Sequence, residues 1–160
     1  MADTTTARDW TDEIGEGAYA AIREMVAALQ CDFDRLTELA DRETDEDDPL
    51  TDDEREELAA LREAAGDCSD VDDARERIEE DPLSLEIRGR YTGEWEADEF
   101  ELLLSTGGPA TRIVGDLDGD QPFAPRLEVQ DWFRPWTEYL AGVDREVLLA
   151  YCECFCFATR

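Results

Sequence analysis

The sequence predicts an α+β protein in which helices precede an antiparallel sheet and one further helix closes the chain. Three observations favour this class. Apolar residues recur every three or four positions in the first half, they alternate with polar residues after Pro82, and the last thirty residues carry the densest aromatic segment. The first spacing is typical of amphipathic helices and the second of half-buried strands. We therefore expect an N-terminal helical hairpin, a short third helix, a four-stranded antiparallel meander and a C-terminal helix packed on the sheet.

The first helix is predicted over residues 9–43, because nine apolar side chains fall on one face of that segment. The acidic run 45–48 and Pro49 end it. The apolar residues that define the helix are Trp10, Ile14, Ala18, Ile22, Met25, Leu29, Phe33, Leu36 and Leu39.

Two further helices follow before the sheet. Thr51 and Glu54 have the spacing of a capping box, which predicts a second helix over about 52–65, antiparallel to the first. Ser69 is a suitable cap for a third, shorter helix, which ends at Asp81-Pro82. These elements make residues 1–80 an acidic helical region.

Residues 81–160 are predicted to form the sheet and the last helix. Alternating apolar residues place strands near 83–88, 100–104, 111–117 and 126–131, separated by turns that contain glycine. Asp144 can cap a final helix over about 144–157, and this helix is expected to cover the apolar face of the sheet. We expect the two regions to form one folded unit.

The charge of the chain indicates adaptation to salt. The formal net charge is −29, from 44 acidic residues against 15 basic residues that are all arginine, and the chain contains no Lys, His or Asn. Molar salt shortens the Debye length to about 3 Å and removes most of the resulting repulsion. A hydrophobic content of 42% argues against disorder. We expect a halophilic protein, and the scarcity of cations excludes nucleic-acid binding by a basic face.

The sequence also predicts where the protein acts. No apolar stretch approaches 18 residues, and Met1-Ala2-Asp3-Thr4 lacks the basic and apolar regions of a secretion signal. We therefore expect a cytoplasmic protein without a membrane partner. An odd number of unevenly spaced cysteines does not suggest a disulfide framework, so we expect reduced thiols.

Few residues favour an enzyme, a cofactor or a metal. Without histidine, no Ser-His or Cys-His pair can form. On a helix, Cys152 and Cys156 share a face while Cys154 points elsewhere, so we interpret the three as core residues and predict no metal there. The carboxylates of 116–120 resemble a calcium loop, but Gln121 and Leu127 stand where its glycine and glutamate belong, which favours a plain turn.

The segment 132–136 is the strongest candidate for a binding site. Trp132, Phe133, Arg134 and Trp136 have the composition of an interaction hot spot, and the intervening proline would stiffen them. The alternative is core packing under the last helix. Gly107 and Gly108 belong to a strand-to-strand turn that could serve as a recognition loop if exposed. We predict that these six residues bind a protein partner.

Three segments carry a resemblance to a known group of proteins. These segments are DPLSLEIR (81–88), EFELLLSTGGPA (99–110) and QDWFRPWTEY (130–139). Through them, about half of the chain resembles a family of small uncharacterised proteins of phages, proviruses and plasmids. Within that family, the chain is similar to a haloarchaeal member. The resemblance implies an origin in a mobile element. It implies no catalytic residues.

Three classes of function follow as expectations. The first is a non-enzymatic protein-binding accessory protein of a haloarchaeal virus or mobile element, which could counteract a host defence or replication component. The second is an acidic DNA mimic, in which 41–57 imitates a row of phosphates and inhibits a nucleic-acid-binding protein. The third is a small hydrolase that uses carboxylates. The sequence leaves the oligomeric state open.

Overall fold

The structure, a computed structural model, describes residues 4–158, and side-chain environments from residue 10 onward. Four helices precede five strands and one helix follows them, as predicted for an α+β chain. The helices are α1 (Thr4–Leu29), α2 (Phe33–Glu43), α3 (Asp52–Ala65), α4 (Val71–Glu80) and α5 (Arg145–Cys152), and the strands are β1 (Ser84–Tyr91), β2 (Trp95–Ser105), β3 (Ala110–Asp118), β4 (Gln121–Gln130) and β5 (Thr137–Glu138).

The described chain divides into two compact units. The helical unit is Glu24–Arg77, and the sheet unit contains the described residues up to Arg23 and from Ile78 onward. The sequence-based boundary at residue 80 grouped all of the first helix with the acidic region. The structure instead assigns the first part of α1 to the sheet unit, where Gly15 lies against the ring of Tyr139 and the Tyr19 hydroxyl accepts the Asp144 N–H at 3.0 Å.

The sheet is an antiparallel meander with the strand order β1-β2-β3-β4-β5, which confirms the predicted architecture and adds a fifth strand of two residues. In β2 and β3, residues such as Phe100 and Ile113 point to a buried core face. The intervening residues, among them Glu101 and Arg112, lie on the opposite, charged face. The period of 2 read from the sequence therefore corresponds to two chemically different faces.

Helix α5 packs against β4, so the prediction that a C-terminal helix covers the sheet is confirmed. The helix ends at Cys152, five residues earlier than predicted, yet the chain after it stays on the core face. Phe157 is buried and its ring lies 4.8 Å from that of Phe100. Tyr151 is fully buried, and its hydroxyl donates a hydrogen bond of 2.6 Å to Oδ2 of Asp81.

The prediction of one helix over 9–43 was wrong, because the chain breaks after Leu29. Asp32 begins α2 by accepting the backbone N–H of Arg35 on its side chain at 2.9 Å. A short acidic side chain that satisfies a free N–H at a helix start competes with continuation of the preceding helix. The apolar spacing continues across the break, and for this reason the sequence pattern did not reveal it.

In the helical unit, α2 packs against α3 around a small core formed by Leu39, Leu50 and Leu58. Arg–Glu pairs bridge the two helices above that core. They join Arg35 to Glu57 at 2.8 Å, Arg42 to Glu54 at 2.6 Å and Arg62 to Glu43 at 2.7 Å. These arginines hold the pKa of their carboxyl partners below the usual range, and that of Glu54 falls to about 2 because Thr51 also donates to it.

The predicted capping box at the start of α3 is confirmed. The Thr51 hydroxyl accepts the Glu54 N–H at 3.2 Å, and the Glu54 carboxylate accepts the Thr51 N–H at 2.8 Å. We expect Thr51→Ala to lower the free energy of unfolding of the helical unit by about 1 kcal/mol. The Glu54 N–H loses its acceptor, and the Glu54 carboxylate loses the hydroxyl that helps to hold it against the N–H of residue 51. Urea titrations followed by circular dichroism measure this loss.

Thr37→Ala is the matched control for that variant. Thr37 lies inside α2, and its hydroxyl donates only to the Phe33 carbonyl, at 2.9 Å. Because alanine is the better helix former, this substitution should be neutral or slightly stabilising. Equal losses in both variants would contradict the role of the cap.

Candidate functional site

Two loops meet at one end of the sheet unit. The turn 106–109 joins β2 to β3, and the segment 131–136 joins β4 to β5. Ala110 pairs with Gln130 in the ladder, so the loops leave neighbouring strands at the same edge. The Trp132 indole lies directly on Gly108, where a Cβ would overlap the ring. We call Trp132, Phe133 and the turn 106–109 the aromatic tip.

The two aromatic rings of the tip face solvent. Trp132 is 63% exposed and Phe133 is 102% exposed, that is, as accessible as in an extended chain. Their ring centroids lie 6.3 Å apart. The alternative of core packing under the last helix does not apply to these two side chains. Aromatic side chains usually bury their area, so a fully exposed phenylalanine marks an unusual surface.

Backbone contacts hold the loop in one shape. The Arg134 N–H donates to the carbonyls of Asp131 and Trp132, at 3.1 and 2.8 Å. The Gln130 side chain donates to the Arg134 carbonyl at 2.9 Å. Trp132 has a φ of +40°, a conformation that a large side chain adopts only when its surroundings fix it. The loop therefore holds the backbone of the tip in one conformation, and the contact with Gly108 positions the Trp132 ring.

Trp136 has a different position from the other predicted binding residues. It is half-buried on the charged face, with the Arg112 guanidinium 4.1 Å from its ring centroid. Arg112 also donates to Glu101 and to Glu128, each at 2.7 Å. Trp136 thus fastens the end of the loop to the sheet through a cation–π contact, while Trp132 and Phe133 remain exposed.

Three arginines of the sheet have carboxylate partners: Arg112 pairs with Glu101 and Glu128, Arg88 with Glu101, and Arg90 with Asp98. Arg126 and Arg134 have no ion-pair partner among the residues that the structure describes. Arg126 is half-buried and lines, with Arg88 and Arg112, a small concavity of about 130 Å³ on the charged face. Glutamates line the same concavity, at positions 99, 101 and 128, so its lining residues carry no net charge.

The other end of the sheet unit carries a shallow depression of about 630 Å³. Trp95 and the turn around Gly119 line it together with acidic side chains. Gly119 has a φ of +64° and stands between β3 and β4, which confirms that 116–120 contains a strand-to-strand turn. Within the described residues, no group of three or more acidic or cysteine side chains has the arrangement of a metal site.

The cysteines of the C-terminal segment separate by burial. Cys152 and Cys154 are buried, as predicted for core residues, but the same prediction was wrong for Cys156, which is exposed because it lies beyond the end of α5. Burial raises the pKa of the Cys152 thiol, which keeps it protonated at neutral pH. No disulfide links the five cysteines, all of which lie within the described residues.

Sequence reasoning found the members of the tip but missed the contacts that assemble it. The contact between Gly108 and Trp132 joins residues 24 positions apart and had no sequence signal. The position of Arg112, which supports Trp136, did leave a signal in the sequence. Arg112 occupies an outward-facing position on its strand, and Glu101 and Glu128 occupy outward-facing positions on the two neighbouring strands, so the three charges lie on one face.

Comparison with protein-family models, with curated proteins and with solved structures found no significant match. The resemblance to proteins of mobile elements therefore stays a prediction. Among the described residues, no helix has both the length and the apolar composition needed to cross a membrane.

Proposed function

We propose that this protein is a non-enzymatic accessory protein of a haloarchaeal virus or mobile element, and that it binds a protein partner in the cytoplasm through its aromatic tip. The partner would be a component of host defence or replication. The observation that carries this proposal is the exposure of Trp132 and Phe133 on a loop whose backbone is fixed. Rigid aromatic side chains lose little entropy on binding and supply large contact area.

The charge of the chain supports a partner of particular chemistry. With a net charge of −29, the protein would repel an acidic surface and attract a basic one. Arg134, next to the tip, lacks an ion-pair partner among the described residues and is available to a carboxylate. The tip therefore suits an apolar pocket with a mainly basic rim that also offers an acidic group.

The distribution of acidic side chains favours salt adaptation over DNA mimicry. Mimicry calls for rows of carboxylates on one face, with few compensating cations. In the segment 41–57, Arg42 bonds Glu54 and Asp48, and Arg55 bonds Asp52. Exposed acids also occur in α1, β2 and α4, well outside that segment.

Photocrosslinking tests the proposal. A benzophenone analogue of phenylalanine placed at position 133 of the full chain should form adducts with one protein in a lysate of the native host, prepared in molar KCl. The matched control carries the same group at Phe123, which is 46% exposed on β4 at the opposite end of the sheet. We expect adducts from position 133 only.

A second substitution links the adduct to the shape of the tip. Gly108→Ala should displace the Trp132 ring and reduce the adduct at position 133 by about tenfold, which is typical for disturbance of one hot-spot residue. Equal adducts from positions 133 and 123, or none from 133, would refute binding through the tip. Competition of the adduct by duplex DNA would instead support mimicry.

A further inference from the structure

The two edges of the sheet differ in length. β5 has only two residues, so it offers little backbone for pairing. β1 has eight residues, and six of them are exposed. An exposed edge strand presents unpaired N–H and C=O groups to any chain that can add to it. Natural proteins often protect such an edge with proline, charged side chains or a β-bulge. β1 contains no proline, and the extra residue of its register shift with β2 lies in β2, so its own alternation is regular, but it does carry charged side chains.

The charge of β1 also differs from that of the chain. It carries Glu86, Arg88 and Arg90, a net of +1, and it is the only described helix or strand with a positive net charge. Glu86 and Arg88 lie two positions apart, on the charged face of the sheet. An antiparallel copy of the same strand can therefore place each of these charges opposite its counterpart.

We infer that β1 pairs with β1 of a second copy of this chain, antiparallel and centred on Ile87, so that two sheets join into one. This centre places Glu86 opposite Arg88 of the partner subunit, and symmetry repeats the pair. Centring on Glu86 or on Arg88 would bring two like charges face to face. Centring between two residues would place core-facing side chains of one copy on the charged face of the other.

The same register covers exposed apolar side chains. Leu83, which directly precedes β1, is 61% exposed, and Tyr91, its last residue, is 78% exposed. With Ile87 at the centre, Leu83 of one copy faces Tyr91 of the partner subunit, and again the contact occurs twice. Leu85, 37% exposed, faces Gly89 of the partner subunit. Charge and apolar contacts thus agree on one register.

Charge reversal tests this inference, with dimer formation as the measurement. In molar KCl, which limits repulsion between two acidic chains, sedimentation at about 100 μM should show a dimer of the wild type. Glu86→Arg places Arg opposite Arg88 of the partner subunit, and Arg88→Glu places Glu opposite Glu86. Each single variant should raise the dimer Kd by about tenfold.

The two variants also serve as controls for each other. An equimolar mixture of E86R and R88E should recover the dimer as a heterodimer, because every facing pair is again of opposite sign. The double variant E86R/R88E should recover it as a homodimer. A monomeric wild type, or single variants that dimerise as well as the wild type, would overturn the inference.

Hydrogen exchange gives a second measurement that requires no substitution. In a monomer, every second amide of 84–88 points away from β2 and should exchange quickly. In the paired state these amides should become protected as the protein concentration rises, while the other amides of the strand stay unchanged. Alternate amides that exchange quickly at every concentration would contradict pairing at this edge. Neither measurement depends on the aromatic tip, so each proposal can fail without the other.

Discussion

In about 3 M KCl, the protein is expected to melt at least about 10 °C higher than in about 0.1 M KCl. The helical unit carries 21 acidic side chains against 6 arginines in 54 residues. Two like charges 10 Å apart repel by about 0.4 kcal/mol in unscreened water, and such pairs are numerous in so small a unit. In molar salt the Debye length falls below this separation, so the repulsion largely disappears.

Surface ion pairs weaken in the same salt, but their contribution is smaller. The bridges between α2 and α3 are partly exposed, and exposed pairs typically contribute under about 1 kcal/mol each. The loss of repulsion should therefore dominate. Thermal melts followed by circular dichroism at several KCl concentrations measure the sum of both effects.

Charge removal separates screening from other effects of salt. Glu46, Glu56 and Glu63 are exposed acids with no ion-pair partner among the described residues. Their joint substitution by glutamine should raise the melting temperature in low salt and reduce its dependence on KCl. Sucrose stabilises by exclusion without screening charge, so an equal gain in sucrose would argue against the electrostatic explanation. A melting temperature independent of KCl would remove the basis for a halophilic protein.

Tyr151→Phe is expected to lower the free energy of unfolding by about 1.5–3 kcal/mol, the range for a hydrogen bond to a charged group. The phenol is buried and its hydroxyl donates to Asp81, which directly follows α4. The substitution keeps the ring and removes only this bond between segments 70 residues apart. Tyr91→Phe, at an exposed hydroxyl, should change stability by less than about 0.5 kcal/mol.

The same residue predicts sensitivity to alkali. Burial and the Asp81 carboxylate raise the pKa of Tyr151, so the folded state keeps a proton that the unfolded chain releases above about pH 10. The contribution of Tyr151 to the free energy of unfolding is therefore complete below pH 10, and it falls by about 1.4 kcal/mol per pH unit above pH 10. The raised pKa of Cys152 adds a similar loss that begins near pH 8.5.

Urea titrations between pH 7 and 11 at constant KCl test both residues. Tyr151→Phe should flatten the decline above pH 10, and Cys152→Ala should delay its onset. If the wild type and both variants lose stability in parallel, neither buried group is responsible.

The sequence was sufficient for the elements whose determinants are local. Alternation identified four strands, and the Thr51–Glu54 spacing identified the start of α3. The sequence was not sufficient where one local hydrogen bond ends a helix inside a regular apolar pattern, as the Asp32 cap does between α1 and α2. It also did not assign α1 to a unit, since apolar spacing shows that a face is buried and not which partner buries it.

The candidate site was predictable in composition and not in geometry. The aromatic content of 132–136 singled out the segment, but nothing local distinguished the exposed Trp132 from the half-buried Trp136. That difference arises from Arg112, which lies 24 residues away in sequence and holds only one of the two indoles. Exposure depends on long-range partners, which a single sequence does not display.

The stacking of Phe157 on Phe100 has a consequence for biosynthesis. The ribosome completes β2 and β3 well before it reaches Phe157, since 44 residues separate Ile113 from Phe157. At about 5–20 residues per second, the nascent sheet lacks the contribution of this ring for roughly 2–9 s. Nascent chains with open apolar surfaces are substrates for chaperones and prone to aggregation. Translation speed over 114–157 should therefore influence how much of this protein reaches its folded state.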